Sequence, residues 1–312
     1  MKYSVALIGL GKVAWQYDKT STEISSLTHV AAINKHSALE IVHVVDTNPC
    51  LVSEFISTYD VSIFDSLAVE KKSVDIVVIA TSTESHLEAL KTSAYLNPKI
   101  VLIEKPVCQD IISFGEILEF SKHHDFVGFV NFQRFVDPSL VELSDRVKRG
   151  EFGEVEYINC ISSGTLKNSG PHMLNLIRMF LGSVMYTSSI EVLSPNTYLI
   201  QVSSLFINYS VISTSNFVFK FDLYAKFAHI SYDSTQKKVR ITYSGKSKAY
   251  PNELNYLENT FEELSTSEDF DVVYSEVVRY LEKGSTLLCG IEESYWEHSV
   301  LFEILEIDSP NG

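Results

Sequence analysis

The chain has 312 residues, 45% of them hydrophobic and 21% charged, which is the composition of a folded globular protein with a sizeable core. At roughly 150 residues per domain, this length predicts two domains. The formal net charge of −15 argues against partners that carry a phosphate backbone or an anionic lipid surface. Nucleic acid and membrane surfaces are therefore not expected as partners.

The cysteines and the apolar segments give expectations about the cellular compartment. Four cysteines are scattered along the chain without Cys-x-x-Cys spacing, which favours reduced thiols in the cytoplasm over disulfides or a metal site. No stretch of 18 apolar residues exists, so no membrane span is expected. The apolar run at the N-terminus is too short for a secretory signal and is interpreted as a strand.

The first 130 residues alternate between short apolar runs and helical patterns. The runs are rich in Val and Ile at successive positions, which is typical of parallel strands buried on both faces. They cover residues 4–8, 41–45, 61–64, 74–79, 100–103 and 126–130. Helices are predicted between them at residues 27–35, 51–59, 84–95 and 110–123. This alternation predicts an α/β Rossmann domain, a doubly wound parallel sheet, over residues 1–125.

The pattern changes in the second part of the chain. Longer strands rich in Tyr, Phe, Ser and Thr follow one another at residues 155–163, 198–207 and 216–223. Helices are predicted at residues 171–181, 272–283 and 292–306. We therefore predict an α+β domain over residues 126–312, with a large, mainly antiparallel open sheet. The predicted helices cover only one face of that sheet, which predicts a homodimer or homotetramer.

The strongest local motif is the glycine-rich turn after the first strand. Gly9, Gly11 and Ala14 form the pattern G-x-G-x-x-A, a variant of the dinucleotide-binding fingerprint. Gly9 permits a tight turn, Gly11 lets the backbone approach a pyrophosphate, and Ala14 allows close packing of helix on strand. A helix that opened here would offer its N–H groups to the phosphates. The alternative is an ordinary structural turn.

An acidic residue at the end of the second strand supports the dinucleotide interpretation. Asp46 is placed to accept from ribose hydroxyls and to repel a 2′-phosphate, which predicts NAD in preference to NADP. Thr47 and Asn48 follow it, so NADP remains possible. The spacing from the glycines exceeds the usual ~20 residues. Residues 17–28 are interpreted as an insertion that accounts for the difference.

Six motifs in order resemble the Gfo/Idh/MocA family of oxidoreductases. They are GLGKVA at 9–14, VVDTNP at 44–49, VVIATSTESHLEAL at 77–90, IEKP at 103–106, VGFVNFQRFVDPSL at 127–140 and GPHMLNLIRMFLG at 170–182. The resemblance implies hydride transfer between NAD(P) and a hydroxyl or keto group of a small sugar, cyclitol or nucleotide-sugar. It also implies a homo-oligomer, and no metal site is expected.

The resemblance also implies a set of site residues. The cofactor-binding residues are expected to be Gly9, Gly11, Lys12, Val13, Asp46, Thr81, His86 and Glu104. The residues expected to bind substrate are Lys105, Asn131, Arg134, Asn168 and His172. Among these, Lys105, His172 and Asn168 occupy the catalytic positions.

Physical chemistry supports a catalytic lysine and histidine at these positions. Lys105 follows a predicted strand, where an ammonium can hydrogen-bond the reacting hydroxyl and stabilise a developing oxyanion. Pro106 favours an extended conformation at Lys105. An imidazole at His172 suits removal of the hydroxyl proton. The alternatives are a solvated surface lysine and a histidine that caps a helix.

Two positions depart from the family pattern. Family members usually carry Asp where this chain has Asn168, and often Asp where it has Asn175. Both replacements are neutral, so a catalytically weak or silent sensor that binds dinucleotide is the alternative to an enzyme. For Asn131 and Arg134 a domain-interface role is the alternative to substrate contact. For His86 it is helix capping.

Overall fold

The computed structural model describes residues 2–19, 26–59, 61–63, 73–182, 187–247, 254–267 and 269–308. The chain divides into two compact units. The first consists of Met1–Val136 with Asp269–His298, and the second of Asp137–Glu268 with Ser299–Gly312. The boundary between residues 125 and 126 remains a prediction about the folding domains.

The strands and helices are numbered in chain order. The strands are β1 (Tyr3–Ile8), β2 (Leu39–Val45), β3 (Ser62–Ile63), β4 (Ile76–Ile79), β5 (Ile100–Ile103), β6 (Val127–Val130), β7 (Val155–Ser163), β8 (Thr187–Ser194), β9 (Thr197–Val202), β10 (Leu205–Ile212), β11 (Phe219–Ala225), β12 (Ala228–Asp233), β13 (Lys238–Lys246), β14 (Leu254–Ser265) and β15 (Cys289–Gly290). The α-helices are α1 (His29–Lys35), α2 (Pro49–Thr58), α3 (His86–Ser93), α4 (Ile111–Lys122), α5 (Pro138–Lys148), α6 (Leu166–Leu181), α7 (Phe270–Lys283) and α8 (Tyr295–Ile307).

The first unit is built on a seven-stranded sheet in the order β15-β6-β5-β4-β1-β2-β3. All neighbours are parallel except β15, which pairs antiparallel with β6. Strands β4 and β5 are buried at every position, as expected for a sheet covered on both faces. The six parallel strands have the order 3-2-1-4-5-6 of dinucleotide-binding folds. The predicted Rossmann sheet is confirmed.

Side-chain caps fix the starts of three helices of this unit. The Thr28 hydroxyl accepts from the N–H of Ala31 at α1, and the Asp110 carboxylate accepts from Ser113 at α4. The side chain of Asn48 caps α2 in the same way. Helix α7 returns to this unit from late in the sequence and packs on α1.

The second unit is built on an eight-stranded sheet in the order β14-β13-β12-β11-β7-β10-β9-β8. Its neighbours are antiparallel except for the parallel pair β7 and β10, which confirms the predicted, mainly antiparallel sheet. One face is buried, and Phe180 of α6 stacks on Phe221 of β11 with ring centroids 5.0 Å apart. The other face carries aromatic side chains on several strands of the sheet, which we call the aromatic row. Its members are Phe206, Tyr157, Tyr224, His229 and Phe261.

The prediction of a regular helix directly after the glycine-rich turn is wrong. Residues 12–15 form turns, in which the N–H of Trp15 donates to the carbonyl of Gly11, and a 3-10 turn follows at Gln16–Lys19. The first α-helix starts only at His29. Asp18 accepts from the Thr28 hydroxyl and the Leu27 N–H, so the inserted segment closes on the start of α1. Residues 20–25 of the predicted insertion lie outside the described residues.

The prediction of a single strand at residues 198–207 is wrong as well. Strand β9 ends at Val202, a turn follows, and β10 runs back antiparallel from Leu205. Ser203 adopts a φ of 54° in this turn. The turn has neither glycine nor proline. Its two serines, at 203 and 204, are weaker turn signals, and the residues on both sides favour strands.

Helix α6 begins five residues before its predicted start at residue 171. The proline therefore lies inside the helix, although proline normally favours the first helical position. The first turn is held by the N–H groups of Asn168 and Ser169, which both donate to the carbonyl of Thr165. Further elements were not predicted from the sequence, namely α5, β8, β12, β13, β14 and β15.

The cysteines of the chain form no disulfides among the described residues. All four cysteines are free thiols, and Cys50 alone among them is exposed. Burial raises the pKa of Cys108 to about 12, so its thiol stays protonated and unreactive at neutral pH. Within the ranges that the structure describes, no helix is long and apolar enough to cross a membrane.

Candidate active site

The carboxyl edge of the first unit's sheet collects most of the predicted site residues. The glycine-rich turn follows β1, Asp46 follows β2, and Thr81 follows β4. Glu104 and Lys105 follow β5. Because these strands are parallel neighbours, their carboxyl ends lie at one edge, and the β1/β4 boundary is the point where strand order reverses. Ligands of open α/β sheets bind at this place.

Gly9 is required by its surroundings. It has a φ of 98°, and a Cβ built on it would lie 2.6 Å from the carbonyl oxygen of Ala80, at the end of β4. Around Gly11 the space is open, with the nearest atom, the Ala80 oxygen, at 4.0 Å. The turn thus packs tightly on β4 through Gly9 and leaves the backbone of Gly11 accessible. This geometry fits a bound pyrophosphate.

Asp46 links the end of β2 to the glycine-rich turn. One carboxylate oxygen accepts from the N–H of Leu10 at 2.6 Å, and the other accepts from Asn48 at 2.7 Å. Each oxygen retains a further lone pair for a ribose hydroxyl. The carboxylate therefore shapes the turn and is available to a nucleotide. Lys12 is exposed on the same turn, and the Val13 carbonyl accepts from the N–H of His29.

Lys105 lies at the carboxyl end of β5 and is half-buried. Burial lowers the pKa of its ammonium group, the Glu104 carboxylate opposes this shift, and the Arg134 guanidinium adds to it. A lysine in such an environment exchanges its proton closer to neutral pH than a surface lysine does. The alternative of a fully solvated lysine does not fit this environment.

Glu104 is a buried anion with several partners. Its Oε1 accepts from the Nδ2 of Asn131 and hydrogen-bonds the Nε2 of His29 at 3.0 Å. Burial alone would raise its pKa, but His29, the neighbouring Lys105 and Asn131 together hold the pKa of Glu104 below its usual value. The carboxylate is therefore ionised at neutral pH. The sequence did not mark His29 as a site residue, because it shows only a histidine in a predicted apolar helix.

Two histidines hold the segment that follows Lys105. The N–H of Val107 donates to Nε2 of His298 at 3.0 Å, and the Val107 carbonyl lies 3.1 Å from Nδ1 of His86. The other nitrogen of His86 faces the carbonyl of Thr81 at 3.2 Å. Burial lowers the pKa of His86 and of His298, the latter to about 4, so both rings are neutral. His86 thus contacts the backbone on both sides, and its proposed approach to a cofactor remains a prediction.

Asn131 and Arg134 lie at and just beyond the end of β6 and are both buried. The Oδ1 of Asn131 has no hydrogen-bond partner among the described residues. Since buried acceptors are normally satisfied, this atom is suited to a donor on a ligand. Arg134 lies in a 3-10 turn at Gln133–Val136 and acts on the charge of Lys105.

The remaining predicted residues lie in the second unit. Asn168, His172 and Asn175 follow one another at helical spacing on α6, so they share one face of that helix. Asn168 is exposed, His172 is half-buried and Asn175 is buried. The Tyr209 hydroxyl hydrogen-bonds Ser162 at 2.8 Å, and Ser162 donates to Ser169 on α6. These contacts support the N-terminal turn that carries Asn168.

The fold and the edge described above define a protein of the dinucleotide-binding α/β class. A sequence model of the oxidoreductase family with an NAD-binding Rossmann fold, GFO_IDH_MocA, matches residues 3–132. The resemblance to the Gfo/Idh/MocA family seen in the sequence is thereby confirmed over this segment.

A curated relative agrees with this assignment. Residues of this chain are 27% identical over 111 positions to the myo-inositol 2-dehydrogenase of Thermotoga maritima. The match covers 36% of this chain and 32% of that enzyme, so it spans about a third of each protein.

Solved structures share the fold over nearly the whole chain. A dehydrogenase (MviM) from Clostridium difficile has a TM-score of 0.76 at 16% identity and covers 98% of this chain and 100% of its own. Gal80p from Saccharomyces cerevisiae, solved as a super-repressor mutant, has a TM-score of 0.74 at 12% identity, with 99% and 96% covered. KijD10, a 3-ketoreductase from Actinomadura kijaniata in complex with NADP and TDP-benzene, has a TM-score of 0.74 at 13% identity, with 96% of both chains covered. At these identities the likeness shows the fold alone.

Proposed function

We propose that this protein is an NAD(P)-dependent oxidoreductase that acts on a hydroxyl or keto group of a sugar, cyclitol or nucleotide-sugar. The observation that carries the proposal is Lys105, whose pKa is lowered by burial, at the edge that also holds the glycine-rich turn and Asp46. The names of the inositol dehydrogenase and the 3-ketoreductase support this substrate class.

The residues divide the proposed work among them. A nicotinamide dinucleotide, when bound, supplies or accepts the hydride. Gly9 holds the tight turn, Gly11 would leave room for its pyrophosphate, and Asp46 would accept from its adenine ribose. Lys105 donates a proton to the substrate oxygen in reduction and removes it in oxidation. The unpartnered Oδ1 of Asn131 accepts from a donor group of the bound ligand.

His172 is the second proton-exchanging residue of the proposal. It lies one helical turn after Asn168, on a half-buried position of α6. Because Asn168 carries no charge, it can orient an imidazole but cannot stabilise its protonated form as Asp would. Lys105 is therefore assigned the larger share of the proton transfer.

NAD is the cofactor that we propose, with NADP accepted more weakly. The reason is electrostatic, because the Asp46 carboxylate repels a 2′-phosphate and no arginine follows it in sequence. Calorimetric titration with both dinucleotides measures this preference. Tighter binding of NADP(H) would contradict it.

The experiment that tests the function is turnover. The protein is incubated with NAD(H) or NADP(H) and a panel of sugars, cyclitols and nucleotide-sugars, and absorbance of the reduced nicotinamide is followed. We expect cofactor-dependent conversion of at least one substrate, with label from deuterated reduced cofactor appearing on the product carbon. Dinucleotide binding without conversion of any substrate would contradict an enzyme.

A second candidate is a sensor that binds dinucleotide and a ligand without turnover. Asn168 and Asn175 favour it, since both are neutral where the family usually has carboxylates. The fold is also that of Gal80p, whose solved variant is a super-repressor. The same assay separates the two functions, because a sensor binds both ligands and converts neither.

A further inference from the structure

Three buried side chains form a continuous hydrogen-bonded chain from α7 to the carboxyl edge of the sheet. The Tyr274 hydroxyl lies 2.7 Å from Nδ1 of His29, and Nε2 of His29 lies 3.0 Å from Oε1 of Glu104. Tyr274 and His29 are 0% exposed. Phe270 packs edge-on against the imidazole, with ring centroids 4.7 Å apart. We call Tyr274, His29 and Glu104 the buried relay.

Hydrogen bonds link the three members of the buried relay in sequence. Burial raises the pKa of Tyr274 well above its usual value, so its hydroxyl keeps its proton. With the His29 tautomer that carries its hydrogen on Nε2, the Tyr274 hydroxyl donates to Nδ1 and the Nε2–H donates to Glu104. Asn131 donates to the same carboxylate oxygen. Two donors therefore stabilise the ionised form of Glu104 from the protein side.

The charge on Glu104 acts on the residue that follows it. Charged or titratable groups face this carboxylate from four directions: His29 and Tyr274 from α1 and α7, Lys105 from the end of its own strand, and His86 from α3. Around Lys105, the Glu104 carboxylate favours the charged ammonium, whereas burial and Arg134 disfavour it. The pKa of Lys105 therefore depends on Glu104 staying ionised.

We propose that His29 and Tyr274 are positioning residues of the reaction: they hold the Glu104 carboxylate in place, in its ionised form, beside the Lys105 ammonium. This inference rests on the proposed role of Lys105 in proton transfer. Without the relay, the buried carboxylate would lose a donor, and its charge would be less favourable. The relay would thereby fix the pH at which Lys105 changes its charge, from a helix that joins the Rossmann unit late in the sequence.

The test is a pH titration of Lys105 that does not depend on turnover. The full-length protein is labelled with 13C at the lysine Cε, and the Lys105 signal is assigned by its loss in Lys105→Arg. In Glu104→Gln we expect the titration of Lys105 to move down by on the order of one pH unit, as for loss of an adjacent opposite charge. Tyr274→Phe and His29→Gln should move it in the same direction by less. Tyr280→Phe, a tyrosine of α7 that packs on Phe129 outside the relay, should leave it unchanged.

Turnover provides a second readout. If the enzyme is active, the alkaline limb of its kcat profile in the reduction direction, in which Lys105 donates the proton, should move with the Lys105 titration. The kcat of Tyr274→Phe should fall about fivefold, the worth of one hydrogen bond. KM for the cofactor should stay constant. If no substrate is converted, the proposed function fails, while the titration still tests the relay. A Lys105 titration that is unchanged in folded Tyr274→Phe, or in Glu104→Gln, would overturn the inference.

Discussion

Two glycines of the turn after β1 have different tasks, and substitution separates them. In Gly9→Ala the new Cβ would meet the Ala80 backbone at 2.6 Å with a φ of 98°, so we expect a loss of about 1–3 kcal/mol in stability. In Gly11→Ala the nearest atom lies at 4.0 Å, so stability should change by less than about 1 kcal/mol. Its dinucleotide affinity should nevertheless fall by about tenfold or more, because the new methyl group stands where the pyrophosphate approaches.

Thermal unfolding and calorimetric titration measure these two effects. A Gly9→Ala variant as stable as wild type would show that the turn tolerates a different backbone. Wild-type affinity in Gly11→Ala would show that the phosphates bind elsewhere.

Asn168 is neutral at a position where the resemblance to the Gfo/Idh/MocA pattern predicts a carboxylate. We expect Asn168→Asp to raise turnover near neutral pH, because a carboxylate one helical turn before His172 stabilises the protonated imidazole. Asn168 is exposed, so the gain should be roughly two- to tenfold, less than the ~4 kcal/mol Coulomb limit at 4 Å.

Steady-state formation of reduced cofactor across roughly pH 6–9 measures this change. The same substitution in a Lys167→Ala background shows whether that neighbouring lysine captures the new carboxylate. A variant that is equal to or slower than wild type at every pH, in both backgrounds, would assign the acid/base work to other groups.

At the scale of elements, His298 ties α8 to the segment after β5, and its protonation should weaken that tie. Its pKa in the folded protein is lowered by burial to about 4 from the usual 6.5. The unfolded chain therefore binds the proton first, so the stability contribution is complete above pH 6.5 and is lost as the pH falls towards 4. From pH 7 to pH 5 this loss amounts to about 2 kcal/mol.

Denaturant titrations at both pH values test this linkage. The free energy of unfolding should fall less between pH 7 and pH 5 in His298→Gln than in wild type, by about 2 kcal/mol. The exposed His123→Gln serves as the matched control and should behave as wild type does. Equal pH dependence in His298→Gln and wild type would mean that His298 is not the group that titrates.

The elements that the sequence predicted well are those with a local cause. The runs of β4 and β5 are apolar at every position because both faces are covered, and Gly9 is marked by a turn that no other residue fits. The errors have non-local causes. The turn at Ser203 has only serines, which are weaker turn signals than glycine or proline, and the proline of α6 lies inside a helix whose first turn is held by contacts to Thr165.

The same distinction applies to the site. Lys105 and Asp46 stand at strand ends and were predicted from motifs. The contacts of His29 with Tyr274 and of His298 with Val107 were not, because they join positions 245 and 191 residues apart. Only the return of residues 269–298 to the first unit brings these groups together. Neither the hydrophobic periodicity nor the motif spacing of the sequence predicts that residues 269–298 join the first unit.

At the scale of the whole molecule, the aromatic row of the second unit favours self-association. Phe206 is 44% exposed and Tyr157 is 37% exposed, and they are cross-strand neighbours on adjacent strands. Contiguous exposed apolar side chains mark interaction surfaces. We expect a homodimer or homotetramer in solution, formed through this face. Light scattering at micromolar concentration should give at least twice the chain mass.

Charged substitutions in the aromatic row test this arrangement. The double variant Phe206→Asp with Tyr157→Asp should become monomeric, because two buried carboxylates in an apolar interface are costly. Tyr95→Asp, at a tyrosine that is 75% exposed in the first unit, should keep the wild-type mass. A monomeric wild type, or an oligomer that survives the double variant, would contradict assembly through this face.

The central claim is that Lys105 carries the proton in a hydride-transfer reaction, and one comparison tests it most directly. Turnover and calorimetric cofactor binding are measured for wild type, Lys105→Ala and Lys99→Ala, in which the control removes a lysine that pairs with Asp75 just before β5. We expect Lys105→Ala to lose turnover by about 10²–10³-fold, as for one electrophilic donor, while dinucleotide affinity stays within about threefold. Lys99→Ala should resemble wild type in both measurements. Wild-type turnover in Lys105→Ala on the true substrate would contradict the account.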